Sequence, residues 1–167
     1  GISDVEEMLR VSQAHAAPYA KKVFGKTIWI DPNVCSPKYS NSARFFIENW
    51  DIEGGQTVLD MGTGSGVLAL FAAINGAKRV VASDINPHAY EVARRNVERY
   101  KLQDRVEVLQ GNLFDPVEEK FDRILFNLPY WNKKPITELE RAFFDEGYQV
   151  LISFFEGARD YLSDGGR

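Results

Sequence analysis

Short apolar runs, each closing on a polar residue where the chain is expected to turn, recur from the middle of the sequence onward. Val58-Leu59 runs into Asp60, Lys78–Asp84 ends an apolar stretch on an acid, Arg105–Gln110 alternates, and Phe121–Phe126 leads into Asn127. Each reads as a strand. Between them lie segments with helical patterning. Val67–Ile74 is apolar and is stopped by Asn75-Gly76, and a second helix opens at Pro87, a residue suited to a first helical turn. Ser42–Trp50 reads as a helix leading into the first of these strands. Strands alternating with helices predict an α/β domain.

The flanks are less regular. Ser3-Asp4-Val5-Glu6 has capping-box spacing and predicts a helix with Val5, Met8, Leu9 and Val11 on one face. Val23–Ile30 alternates as one strand would, ending at Asp31-Pro32-Asn33. Thr137–Leu162 predicts one long helix or two broken ones, with Ala142, Phe143, Tyr148, Val150, Leu151, Phe154 and Phe155 as apolar contacts. Ser163–Arg167 then reads as the turn before a further strand. The expected organisation is an accessory segment over residues 1–41 and a core over 42–167, without an internal repeat or a low-complexity stretch.

At 44% hydrophobic residues the chain can fill one core, and no apolar stretch is long enough to span a membrane. The single cysteine, Cys35, excludes an internal disulfide, fits a reducing cytoplasm and predicts an ordinary packed residue. His15 and His88 are too far apart to suggest a metal site and are expected on the surface. A formal net charge of −4 argues against a phosphate-gripping protein unless cations cluster locally. Arg94, Arg95 and Arg99, interleaved with Glu91 and Glu98, read as a solvated helix face.

The chemistry concentrates at the strand ends. In Asp60-Met61-Gly62-Thr63-Gly64-Ser65-Gly66, glycines at alternate positions allow a sharp turn and close approach of a ligand. The loop also presents free N–H groups at a helix N-terminus, where an anionic group can sit. Dinucleotide enzymes space their glycines G-x-G-x-x-G around a pyrophosphate. Here an acid at the strand end would repel a pyrophosphate, and a ligand with an amino group and one carboxylate fits better. The stretch resembles the first motif of class I S-adenosylmethionine-dependent methyltransferases.

That resemblance runs from about Asn33 to the end of the chain. It implies a Rossmann-like sheet with helices on both faces and S-adenosyl-L-methionine as cofactor. Asp60, Gly62, Thr63, Gly64 and Gly66 would hold its methionine end, and Asp84, about twenty residues past the loop, would accept the ribose hydroxyls. Helix capping is the competing role for Asp84. Ile85 would pack on the adenine, Asn112 would read its edge, and Leu113 or Phe114 would cover the ring. Val34–Ser40 resembles a segment laid over the cofactor, with Lys38 or Tyr39 in contact. In the family's strand order, 3-2-1-4-5-7-6, the last three strands are missing here. The resemblance therefore implies a longer polypeptide or a partner chain that completes the sheet.

Asn127-Leu128-Pro129-Tyr130 resembles the N-P-P-Y motif of methyltransferases that modify planar nitrogens, among them release-factor glutamine and nucleobase amino methyltransferases. A delocalised nitrogen becomes nucleophilic once it is bent out of plane. The Asn127 side-chain oxygen and the Leu128 carbonyl would accept its two N–H bonds, and Tyr130 would stack on it. Leu128 stands where the motif has its first proline, while Pro129 still restrains the residue before it. Trp131, Lys133 and Lys134 would line the entrance, a charged surface loop being the favoured reading for both lysines. The expected function is N-methylation of a protein glutamine-type amide, with an RNA or DNA nucleobase as the alternative. A catalytically silent cofactor-binding module and a nicotinamide-dependent oxidoreductase are alternatives of other classes.

Overall fold

In the computed structural model of the protein, residues 2–37 and 41–167 are described, apart from the side chains of Ile2 and Ser3. α1 (Ile2–Gln13) is followed by an antiparallel hairpin of β1 (Tyr19–Val23) and β2 (Lys26–Ile30), then by α2 (Asn41–Asn49). The chain next alternates through β3 (Thr57–Met61), α3 (Val67–Ile74), β4 (Arg79–Asp84), α4 (Pro87–Arg99), β5 (Val106–Gln110) and β6 (Arg123–Phe126). α5 (Gln149–Ala158) comes last. Strands β5, β4, β3 and β6 lie side by side in that order, all parallel.

Apolar runs form these strands because both sheet faces are covered. Alternate residues point to opposite faces. Val58, Val80, Ala82, Val106 and Leu125 pack with α3 and with Val23, Ile28 and Ile30 of the hairpin. Leu59, Met61 and Val81 face the other way, against Phe114, Val117, Phe121 and Phe154 of α5. Each such side chain, fully buried, contributes about 1.5–3 kcal/mol. α3 is buried from Val67 to Ala73, which explains why its sequence is apolar all round.

Several flanking elements depart from the sequence reading. The expected strand over Val23–Ile30 is a hairpin whose turn falls at Phe24-Gly25, with φ of 47° and 77°. Two positive φ values in a two-residue turn match the right-handed twist of the strands, and phenylalanine at the first position hides the usual signature. In Thr137–Leu162 only α5 is α-helical, preceded by 3₁₀ turns at Glu140–Ala142 and Glu146–Tyr148. Gly147 and Tyr148 are left-handed, at φ 67° and 56°, which breaks any continuous helix. Ser3 lies inside α1, which already begins at Ile2, so it is not the cap that its spacing suggested. Val5, Met8 and Leu9 pack as expected, against Leu139, Phe143 and Phe144, whereas Val11 is half-buried outside that cluster. His15 is half-buried and stacks on Tyr19 at 3.6 Å, in contrast to the surface position expected, and His88 is exposed.

β6 is the last strand of the sheet among the described residues. Its outer side is met by Arg167, whose N–H donates to the Asp122 carbonyl at 3.0 Å and whose carbonyl accepts from Ile124 N–H at 2.9 Å. No helix among the described residues is long and apolar enough to cross a membrane.

Candidate active site at the carboxyl ends of the strands

The carboxyl ends of β3, β4, β5 and β6 open into one cleft of about 540 Å³. Parallel sheets place their ligands at this end. The structure brings Asp60, Gly62, Thr63, Gly64, Asp84, Ile85, Asn112, Leu113 and Asn127 through Tyr130 to its walls. Gly66 is the site residue that it leaves out. A Cβ there would lie 3.2 Å from the Ala93 Cβ, so this glycine permits α3 and α4 to approach.

The loop after β3 is built by two carboxylates. Asp60, 1% exposed, accepts from Thr63 Oγ1 at 2.6 Å and from Ala69 N–H at 3.0 Å, tying the loop to the first turn of α3. Asp84 accepts from Gly64 N–H and from Asn86 N–H, both at 2.9 Å. The cap of α4 is Asn86, which accepts from His88 N–H at 2.9 Å, so capping is not the role of Asp84. Gly62 and Gly64 hold φ of 64° and 57°. A Cβ on Gly62 would fall 2.8 Å from the Phe126 ring, and the space over Gly64 stays open until Val34 at 3.7 Å. Gly62 thus makes room for Phe126, and the bare backbone at Gly64 fits a small ligand pressed against it.

Burial pushes the Asp60 carboxyl up to about 7, with the Asp84 charge adding to the effect while the bonds from Thr63 and Ala69 oppose it. Asp84 is also raised by burial, against the bonds from Asn86, Gly64 and Ile85. A carboxyl raised on folding stabilises the fold in its protonated form. That contribution is complete below the unfolded value near 4 and is lost as pH rises through 7. Asp60→Asn keeps an acceptor for Thr63 and Ala69 without the charge. Melting between pH 5 and pH 8 is therefore expected to show a flatter pH dependence in this variant, by up to about 1.4 kcal/mol per pH unit. An unchanged slope would mean that Asp60 stays ionised throughout.

Ile85 is exposed at the cleft and Asn112 stands at its rim. Leu113 lines the cleft with φ of 46°. Phe114 does not, because it stacks on Tyr161 at 4.5 Å and on Phe154 at 5.8 Å inside the core. Of the two side chains expected to cover the adenine, only Leu113 is placed to do so. Lys38 and Tyr39 lie outside the described residues. Cys35 lines the cleft beside the α1 cluster, and burial pushes its thiol up to about 12, an inert packed residue as expected.

On the far side, Asn127 is exposed and its side chain makes no hydrogen bond among the described residues. The Leu128 carbonyl likewise accepts none. The segment after Pro129 is pinned. Tyr130 and Trp131 N–H both donate to the Phe143 carbonyl, at 3.2 and 3.0 Å, and Asp145 N–H donates to the Trp131 carbonyl at 2.9 Å. Asp145, buried, accepts from Val150 and Leu151 N–H at 3.1 Å and so anchors this segment to α5. Tyr130 is 60% exposed. Trp131, Lys133 and Lys134 lie outside the cleft walls; both lysines are exposed, Lys133 over the Phe144 ring at 4.6 Å, so the surface-loop reading holds for them, whereas Trp131 is half-buried against the α1 cluster. The sequence reading missed the wall formed by Met8, Glu138, Leu139 and Arg141. No motif marks it.

The methyltransferase small domain family matches residues 25–167. The chain belongs to that family. S-adenosylmethionine is its cofactor, and the nicotinamide alternative is set aside. The chain is 32% identical to the release factor glutamine methyltransferase of Rhodopirellula baltica, over 93% of this chain and 61% of that protein. It is 42% identical to the ribosomal protein L11 methyltransferase of Anoxybacillus flavithermus, over 61% of this chain. It spans only 30% of that relative's length. Among solved structures, the M. jannaschii tRNA m1G37 methyltransferase superimposes with a TM-score of 0.68 at 25% identity, over 90% of this chain and 40% of that one. Within this family fold, the open backbone at Gly64 and the half-buried Asp84 carboxylate suit the methionine and ribose parts of the cofactor.

Proposed function

We propose that the chain transfers a methyl group to a planar nitrogen, and that the acceptor is a glutamine-type amide of a protein. Two acceptors on successive residues, the Asn127 amide oxygen and the Leu128 carbonyl, unpaired among the described residues, carry this reading. A nitrogen with two N–H bonds satisfies both, and two directed bonds fix the orientation of its lone pair. Pro129, buried, keeps Leu128 out of the helical region, and the bonds to Phe143 hold the next residues in place. Tyr130 offers an exposed ring to the face of the amide. S-adenosylmethionine, when bound, supplies an already activated methyl group. Asn127 acts here by orientation, since a carboxamide is too weak a base to take a proton. A module that only bound the cofactor would have no use for two free acceptors at the cleft mouth.

The likeness to a release factor glutamine methyltransferase over nearly the whole chain supports an amide acceptor. The same reading places the enzyme in the cytoplasm, where one thiol stays reduced. Cell extract incubated with methyl-labelled cofactor and this protein is expected to carry its macromolecular label in protease-sensitive form. Parallel protease and nuclease digestions read the outcome. Label removed mainly by nuclease would replace the amide with a nucleobase, and Tyr130 would then stack on an unstacked base.

A further inference from the structure

Cations scattered through the sequence gather around the hairpin and α4, Lys22 on the Trp29 side of the hairpin and Lys21 and Lys26 on the Ile28 side, in a chain whose formal net charge is −4. On α4, Glu91 and Glu98 are both taken up by Arg94, at 3.5 and 2.9 Å. Arg95 and Arg99, one turn apart, lie on the flank toward the hairpin. There Asn96 clasps β2, accepting from Trp29 N–H and donating to the Trp29 carbonyl, both at 2.8 Å. The Arg95 guanidinium stands 3.8 Å over the Trp29 ring. Lys26 lies 5.8 Å over Tyr100, whose hydroxyl donates to the Thr27 carbonyl at 2.9 Å, and Lys21 lies 5.8 Å over Tyr19. Lys22, paired across the hairpin with Thr27, and Lys101 are exposed. Among the described residues none of Lys21, Lys22, Lys26, Arg95, Arg99 and Lys101 forms an ion pair.

Rings and carboxylates hold a cation differently. A carboxylate cancels its charge, whereas an aromatic face fixes its position and leaves the charge available. Arg95, Lys26 and Lys21 are therefore held in place, with less side-chain freedom to lose when a partner arrives. Tyr19, Trp29 and Tyr100 are half-buried and carry cations over their rings, so the surface offers positioned charge and not stacking platforms, which matches the phosphates of a nucleic-acid strand.

We propose that the Trp29 side of the hairpin together with α4, carrying Lys22, Arg95 and Arg99, is a docking surface for a nucleic-acid phosphate backbone, separate from the methyl-transfer cleft. Ala89 of α4 lines the cleft, and Arg95 and Arg99 follow about 9 and 15 Å further along the helix at 1.5 Å per residue. The surface does not depend on which nitrogen is methylated. It tests the expectation from net charge directly, because binding to phosphates follows the local field and not the total.

The test is fluorescence anisotropy with a labelled oligouridylate, over about 50 to 300 mM salt. The protein is expected to bind it. The triple variant Lys22→Gln/Arg95→Gln/Arg99→Gln should lose at least about tenfold in affinity at low salt and flatten the log–log salt slope by about two units, the loss of three contacts to a single strand. Arg99→Glu, a single change at an exposed position, should weaken binding in the same direction. Arg94→Gln, at the cation already engaged by two glutamates, should change it by less than about twofold. S-adenosylhomocysteine affinity, measured by calorimetry, should stay at the wild-type value in all of them. The proposal is overturned if wild type binds no more tightly than the triple and Arg99→Glu variants. It is overturned also if polyglutamate binds more tightly than oligouridylate and is lost in the same variants, which would assign the face to an acidic polypeptide.

Discussion

Asn127→Ala is expected to lower methyl transfer by about 100- to 1000-fold, the cost typical of removing one group that orients a reacting centre. Cofactor affinity should change by less than about threefold, because the side chain has no partner among the described residues and its removal leaves the Gly62–Gly66 loop untouched. The fold should also survive, since Asn127 is exposed and buries nothing. Single-turnover rates with the methyl acceptor and calorimetry with S-adenosylhomocysteine separate these effects. A variant that keeps most of its turnover would leave the Leu128 carbonyl as the sole orienting acceptor, too little to hold a bent nitrogen, and the planar-nitrogen mechanism would fall. Leu128→Pro is the companion change. It restores a proline where the backbone contributes only its carbonyl, since Leu128 N–H donates to no backbone acceptor among the described residues, and it should be tolerated.

The centre of this fold could be read from sequence because its constraints are local. A strand buried on both faces must be apolar, and a turn that brings backbone to a ligand must carry glycine, so β3, β4, α3 and their loop announce themselves. Boundaries differ by a residue or two, as at Lys78, whose N–H still donates to the Gln56 carbonyl, and at Phe121, which bridges to Leu162 outside the sheet. The wall opposite the cofactor loop was not legible. Glu138, Leu139 and Arg141 come to the cleft through 3₁₀ turns, held there by α1 packing on Phe143 and Phe144 and by the bonds from Tyr130 and Trp131. The α1 contacts join segments more than a hundred residues apart in sequence, and helical patterning wins in any reading confined to a window. The basic face escaped for a similar reason. Along α4 the arginines alternate with glutamates, and only the fold shows that Arg94 takes both acids while Arg95 turns to Trp29.

Asp84→Ala is expected to weaken S-adenosylmethionine and S-adenosylhomocysteine alike, by about 1.5–3 kcal/mol, or roughly 10- to 150-fold in Kd. Part of that loss comes from the ligand hydroxyls, which would donate to the carboxylate. The rest comes from the protein itself. Asp84 already accepts from Gly64 N–H and Asn86 N–H, so removing it frees the loop that has to be in place before the cofactor arrives. Asp84→Asn should do no better than alanine. One side of an asparagine is an NH₂ donor, and both sides of this carboxylate face N–H donors, so one donor would be set against another. Calorimetry with both ligands, alongside melting of the unliganded variants, distinguishes the two contributions. A loss confined to ligand affinity, with an unchanged melting temperature, assigns Asp84 to the ribose alone. Equal affinities in wild type and Asp84→Ala would instead make the carboxylate a structural tie between β4, Gly64 and the start of α4, and would remove it from the cofactor site.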